Sequence, residues 1–158
     1  MRSILQHLLV LATLLVSAPF AHADDVLFTV RSAKGDFPVT EAVVEKLGTV
    51  TYKALAPGMD DALHQVRGPL IRDVLKAAGV EGTTAAAVAL DKYEVEIPMA
   101  DFTTLDVIAA IEMDGERLTV RSKGPAWIIY PTGKHTELQK DPVYEARSIW
   151  QLKDLVVK

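Results

Sequence analysis

Cysteine is absent from all 158 residues. That absence excludes disulfides, thiolate-bound zinc, iron–sulfur clusters and thiol catalysis together. Excess positive charge is missing too. With 17 Lys and Arg against 21 Asp and Glu, nothing in the charge balance neutralises a phosphate backbone, so nucleic acid is excluded as a partner. Histidine is scarce, and beyond the first 23 residues only His64 and His135 remain. Two histidines in separate loops make no metal motif and read as surface residues. No Gly-x-Ser-x-Gly elbow, P-loop or dinucleotide fingerprint occurs. Repeats, low-complexity tracts and domain-splitting linkers are likewise missing. The remaining composition, 49% hydrophobic and 24% charged, is that of one ordinary globular domain.

The chain opens on Met1-Arg2-Ser3, runs through a mostly apolar stretch from Ile4 to Phe20, and reaches the small-x-small site Ala21-His22-Ala23 before Asp24-Asp25. This pattern predicts a secretory signal peptide over residues 1–23 and a single mature domain over residues 24–158 in the periplasm. A retained anchor fits less well, because Gln6, His7, Thr13, Ser17 and Pro19 interrupt the apolar run. The lone Arg2, in place of an Arg pair, points to general secretion of an unfolded chain.

Hydrophobic periodicity predicts an α+β domain with a β-rich core, containing two helices and about seven strands. Thr40 is placed to cap a helix over Glu41–Leu47 that Gly48 stops, and Val50 to Leu55 favours a strand. Ala56 to Val66 reads as a loop. Within Gly68 to Gly79, apolar positions 70, 71, 74, 75 and 78 form one helical stripe behind Pro69. Further strands are expected over Val26–Arg31, Ala85–Leu90, Tyr93–Ile97, Asp106–Met113, Leu118–Val120, Ala126–Tyr130 and Leu152–Val157, although Leu105–Ile111 also suits a helix. Asp114-Gly115 is a hairpin turn, and Trp127, inside a continuous apolar run, reads as core.

The order of five short motifs then becomes informative. These are Arg67-Gly68-Pro69-Leu70 opening a helix that ends in Ala78-Gly79, Ala89-Leu90-Asp91-Lys92-Tyr93 leading to Glu96-Ile97-Pro98, Met113-Asp114-Gly115-Glu116-Arg117-Leu118, Lys123-Gly124-Pro125 leading to Tyr130-Pro131, and Arg147-Ser148-Ile149-Trp150. In this order they resemble the molybdopterin-binding domain of the sulfite oxidase type, over about Val66 to Lys158. The resemblance implies a sulfite-oxidase-like fold and a pterin ligand, either molybdopterin-like or a free reduced pterin. Catalytic members of that family hold molybdenum through a Cys thiolate upstream of the Gly-x-Pro-Leu helix, and the corresponding stretch from Thr49 to Val66 has none. No molybdenum is therefore expected. Insertion of molybdenum cofactor into its enzymes before export, set beside the general-secretion signal, points the same way.

The resemblance also locates a ligand site. Arg147-Ser148-Ile149-Trp150 stands where family enzymes contact the pterin. Trp150 would stack on the ring, Ser148 and the adjacent amides of the Arg147-Ser148-Ile149-Trp150 segment would donate to its edge, and Arg147 would stack or bind an anionic group. The same four residues also read as a core cap, with Ile149 and Trp150 packed inward and Arg147 in solvent. Arg121 to Pro125 is a cationic turn whose Gly124 permits close approach, with Arg121 and Lys123 at a ligand rim or in solvent. Asp91 and Tyr93 form either a polar lip or an ordinary turn, and Arg67 precedes a helix start that suits an anion. Small cysteine-less secreted proteins of this kind look like pterin-binding sensors that act with the periplasmic domain of a membrane signalling enzyme, including control of cyclic-di-GMP. The alternatives are a molybdopterin-dependent oxidoreductase, or a subunit of one, and a scaffold that has lost its ligand.

Overall fold

A computed structural model describes residues 25–158, so the signal-peptide expectation lies outside the described residues. Among the described residues eleven strands form three sheets, joined by four α-helices and two short 3-10 turns. The largest sheet has the order β2 (Gly35–Thr40), β1 (Val26–Ser32), β11 (Leu152–Val157), β5 (Thr84–Ala89), β6 (Glu94–Pro98). All its neighbours are antiparallel except β1 and β11, which run parallel. A second sheet has the order β3 (Val50–Leu55), β4 (Leu63–Gly68), β8 (Glu112–Met113), β9 (Glu116–Arg117). The third is a ribbon of two three-residue strands, β7 (Ile108–Ala110) and β10 (Trp127–Ile129).

That ribbon explains the continuous apolar runs in the sequence. Successive side chains of a strand point to opposite faces, so a strand buried on both faces needs apolar residues at every position. Trp127, Ile129, Ile108 and Ala110 face one hydrophobic cluster with Ala54, Val66 and Met113. Ile128, Tyr130 and Ala109 face the other, which holds Phe28, Leu75, Ile97, Phe102 and Leu155. The ribbon therefore divides two cores. Approach is close at its edge, where a Cβ on Gly68 would lie 2.0 Å from the Ala109 carbonyl oxygen.

The helix α1 (Glu41–Leu47) forms as expected, with the Thr40 hydroxyl accepting from the Val43 amide at 3.4 Å and Gly48 at φ +80° ending it. The second, α2 (Ile71–Ala77), buries Ile71, Val74 and Leu75. Asp114 and Gly115, both with positive φ, turn the β8–β9 hairpin. Several expectations need correction. Two further helices exist, α3 (Met99–Thr104) and α4 (Pro142–Arg147). The last four residues of the expected loop from Ala56 to Val66 belong to strand β4, in which Val66 and Gly68 are buried and Leu63, Gln65 and Arg67 face out. Asp106–Met113 is two short strands rather than one, and Leu118–Val120 is not a strand. Backbone pairing with neighbouring segments prevents the helical option over Leu105–Ile111, because β7 bonds to β10 and Ile111 donates to Arg67 at 2.8 Å.

Candidate functional site

The late motif runs beside the strand that precedes it. Gln151 donates its amide to the Lys123 carbonyl at 2.9 Å, Leu152 to Ala126 at 2.9 Å, and Ile128 to Ile149 at 2.9 Å. The Trp127 indole N–H donates to the Ser148 carbonyl at 2.9 Å. These four bonds align Ser148–Leu152 against Lys123–Ile128 and bring two motifs, far apart in sequence, to one place. Gln151 adds a side-chain bond to the Val120 carbonyl at 2.7 Å, tying in the 3-10 turn Val120–Ser122.

Two cavities open on either side of this segment and share Glu145 and Ser148. The more apolar one is walled by Trp150, Ile149, Tyr93, Ala89 and Ala146, with Asp91 as the further carboxylate besides Glu145. Trp150 is 39% exposed and meets Trp127 edge to face, with ring centroids 6.1 Å apart. Asp91 accepts from the Tyr93 amide at 2.9 Å, so the expected lip and the expected turn are the same structure. The polar cavity lies on the other side, bounded by Pro57 to Asp61, Thr132, Lys140 and Tyr144. Lys140 spans to Asp61 at 3.4 Å and Asp60 meets His64 at 3.0 Å, leaving Glu145 as the excess negative charge on its lining.

Of the residues expected to contact a ligand, Ser148, Ile149, Trp150, Asp91 and Tyr93 share the apolar cavity. Ile149 is buried, and the Ser148 hydroxyl donates to the Tyr144 carbonyl at 2.8 Å rather than outward. Arg147 lies neither in solvent nor on the cavity wall. Its guanidinium donates to Asp101 at 3.0 Å with both side chains largely covered, and Tyr130 donates its hydroxyl to the same carboxylate oxygen at 2.7 Å. Burial, reinforced by Asp101, pushes the Tyr130 phenol far above its ordinary pKa, so it stays a donor. Lys123 sits against Trp150, Gly124 is packed on Leu118, and Arg121 is exposed on the 3-10 turn. Arg67 is elsewhere, on β4, bonded to Glu112 at 2.9 Å and Thr49 at 3.0 Å. Glu145, Tyr144 and the Pro57–Asp61 loop were not expected. The Asp141-Pro142 pair that caps and opens α4 was the available signal for the first two.

His64 also departs from expectation. It is not a free surface residue, since its side chain is 12% exposed and both ring nitrogens meet carboxylates, Asp114 at 2.7 Å and Asp60 at 3.0 Å. Only the imidazolium can donate to both. The Asp114 bond foremost, with Asp60 in support, raises the His64 pKa. Asp114 is lowered chiefly by His64, and Asp60 chiefly by the Ala62 amide and then His64. A raised His pKa stabilises below its unfolded value and loses that contribution as pH climbs through the folded one; lowered carboxylates stabilise above their unfolded values and lose it as pH falls. The destabilisation caused by His64→Ala is therefore expected to be largest between about pH 4 and 6.5 and to shrink on both sides. Thermal melts of parent and variant across pH check this, and a pH-independent difference contradicts it.

The apolar cavity thus presents a flat aromatic wall beside two carboxylates, and neither cavity is lined by a thiolate. Flat heterocycles with an amino edge suit such a wall. No curated protein sequence matches the chain. Among solved structures, the sulfane dehydrogenase SoxCD from Paracoccus pantotrophus is similar at a TM-score of 0.63 and 15% identity, over 85% of this chain and 38% of that one. The chain therefore spans well under half of that protein's length, and the likeness is one of fold: strand-rich α+β, similar to the sulfite-oxidase-like fold of SoxCD, with four helices where two were expected. A family model described as the oxidoreductase molybdopterin binding domain matches residues 58–136, half the chain. The match starts at the loop between the cavities' elements and ends before Arg147–Trp150. By that match the chain belongs to the oxidoreductase molybdopterin binding domain family.

Proposed function

We propose that this protein is a periplasmic pterin-binding protein without redox catalysis, a ligand sensor acting with a membrane signalling protein, with cyclic-di-GMP control as its output. The observation that carries the ligand is the apolar cavity, where Trp150 and Tyr93 offer ring surface and Asp91 and Glu145 offer acceptors. A pterin's amino and ring N–H groups present adjacent donors that a carboxylate accepts in pairs. Family membership supplies the pterin class. The reading without catalysis rests on chemistry: Ala54 and its neighbours on β3, upstream of α2, provide no thiolate, and none exists anywhere in the chain. Thr, Tyr and Lys at positions 51–53 are hard or weak ligands that do not substitute for one. The negative lining of the polar cavity, with Lys140 already paired to Asp61, further disfavours a phosphate-bearing tail. The oxidoreductase alternative draws on family membership alone, which is a weak warrant for activity.

Periplasmic extraction of the native protein tests the reading. The expected product starts at Asp24, releases a pterin on denaturation by mass spectrometry, and holds far less than one molybdenum per chain by elemental analysis. Stoichiometric molybdenum, or sulfite or sulfoxide turnover, overturns the non-catalytic reading. Absence of any pterin, together with no calorimetric binding of 6-hydroxymethylpterin in oxidised or tetrahydro form, overturns the ligand.

A further inference from the structure

Lys123 was expected either at a ligand rim or in solvent, and it occupies neither place. It lines neither cavity. Its ammonium lies 4.1 Å from the centre of the Trp150 ring and 5.1 Å from that of Trp127, and donates to the Gly58 carbonyl at 3.3 Å. The two indoles stand almost perpendicular, 85° between planes, so they form a corner with the cation inside it. Indole faces carry negative electrostatic potential, and a partly desolvated ammonium between two of them is attracted to both.

Three segments distant in sequence meet at this point. Lys123 follows the 3-10 turn with φ +71°, a conformation uncommon outside glycine, and its carbonyl receives the Gln151 amide next to Trp150. Gly58 has φ +78°, and a Cβ there would lie 3.0 Å from the Lys123 Nζ and 3.5 Å from the Trp150 ring. A side chain at position 58 would compete for the space the ammonium fills. Trp150 itself is 39% exposed, so burial alone does not fix its ring. The ring nevertheless has to stand in one orientation if it is to wall a cavity for a flat ligand.

Resting on the pterin reading above, we infer that Lys123 is a positioning residue for ligand recognition: its cation clamps the Trp150 indole and links it to the Pro57–Asp61 loop of the polar cavity. The ammonium acts through Trp150 and does not touch the ligand. An uncharged side chain of similar length loosens the ring, whereas another cation retains it.

Lys123→Met and Lys123→Arg separate these roles. Trp127 is fully buried, so acrylamide quenching of tryptophan fluorescence in the ligand-free protein reports chiefly on Trp150. Lys123→Met is expected to raise quenching, lower the melting midpoint by only about 2–5 °C, and weaken 6-hydroxymethylpterin binding by about three- to tenfold in calorimetry. Lys123→Arg is expected to recover both quenching and affinity. Parent-like quenching in Lys123→Met overturns the clamp. Weakened binding with parent-like quenching overturns it in favour of direct contact between Lys123 and the ligand, and failure of Lys123→Arg to recover either signal overturns the role of charge. Should the parent bind no pterin, the ligand reading falls, while the quenching comparison still decides whether Lys123 holds Trp150.

Discussion

Trp127→Ala is expected to lower the free energy of unfolding by about 3–5 kcal/mol, the range for deleting a large aromatic from a packed core. Trp127 has no exposed surface and is among the largest side chains buried in the molecule. It packs with Ala54, Val66, Ile108 and Ile129, on strands that are short and hydrogen-bonded into place, so the vacated volume has little means of collapsing. The loss also strips the Ser148 carbonyl of its indole donor in a buried position, a penalty of about 1–3 kcal/mol within that total. Trp127→Phe keeps ring bulk and loses the donor, so its cost should be distinctly smaller. Equilibrium denaturation in urea measures both. A loss under about 1 kcal/mol for the alanine variant contradicts the picture of a two-sided core divider.

Trp150→Ala should leave the fold standing and remove most pterin affinity. Its side chain is partly exposed, and the contacts it gives up within the protein are one edge-to-face pair of about 0.5–1.5 kcal/mol and the Lys123 ammonium over its ring, about 0.5–1 kcal/mol. As the aromatic wall of the cavity it is worth about 1–3 kcal/mol to a stacked heterocycle, or about ten- to a hundredfold in affinity, if base–aromatic stacking is the guide. Ser148→Ala makes the contrast. Its hydroxyl points back to the Tyr144 carbonyl, so the variant should lose roughly 1 kcal/mol of stability at the end of α4 and change affinity little. Calorimetry on folded variants decides this: a Trp150→Ala protein that binds as tightly as the parent places the ligand elsewhere.

What the sequence revealed of this fold depended on the size of each local signal. The helix α1 was legible because Thr40 and Gly48 mark both its ends, and α2 because its apolar stripe spans two turns. The helix α3 buries only Phe102 and follows Pro98, so six residues gave no period to read. The helix α4 buries nothing, and only its Asp141 cap and Pro142 announced it. Strand β4 hid behind polar residues because Val66 is the one large apolar side chain on its buried face, and pairing with β3 and β8 supplies the rest of what holds it. At the site, the Arg147–Trp150 motif was visible as a string, but side-chain direction was not. Arg147 turns to Asp101 because a largely covered carboxylate 46 positions away needs a cation, a pairing that no local pattern records. His64 was misjudged for the same reason, since Asp114 lies 50 positions along the chain.

The parallel pairing of β1 with β11 governs the order in which this molecule can be assembled. The last strand of the chain is the third of five in the largest sheet, flanked by the first strand on one side and β5 on the other. Until Leu152–Val157 emerges, β1 and β5 have no shared neighbour, and the cross-strand pair of Arg31 with Asp154 at 2.8 Å cannot form. Closure of the sheet therefore waits for Leu152–Val157 to be made, and it joins residues more than 120 positions apart. Contacts of such sequence separation fold slowly and leave strand edges open meanwhile. Removing Leu152–Lys158 therefore leaves two unpaired strand edges, on β1 and on β5, instead of a shorter protein.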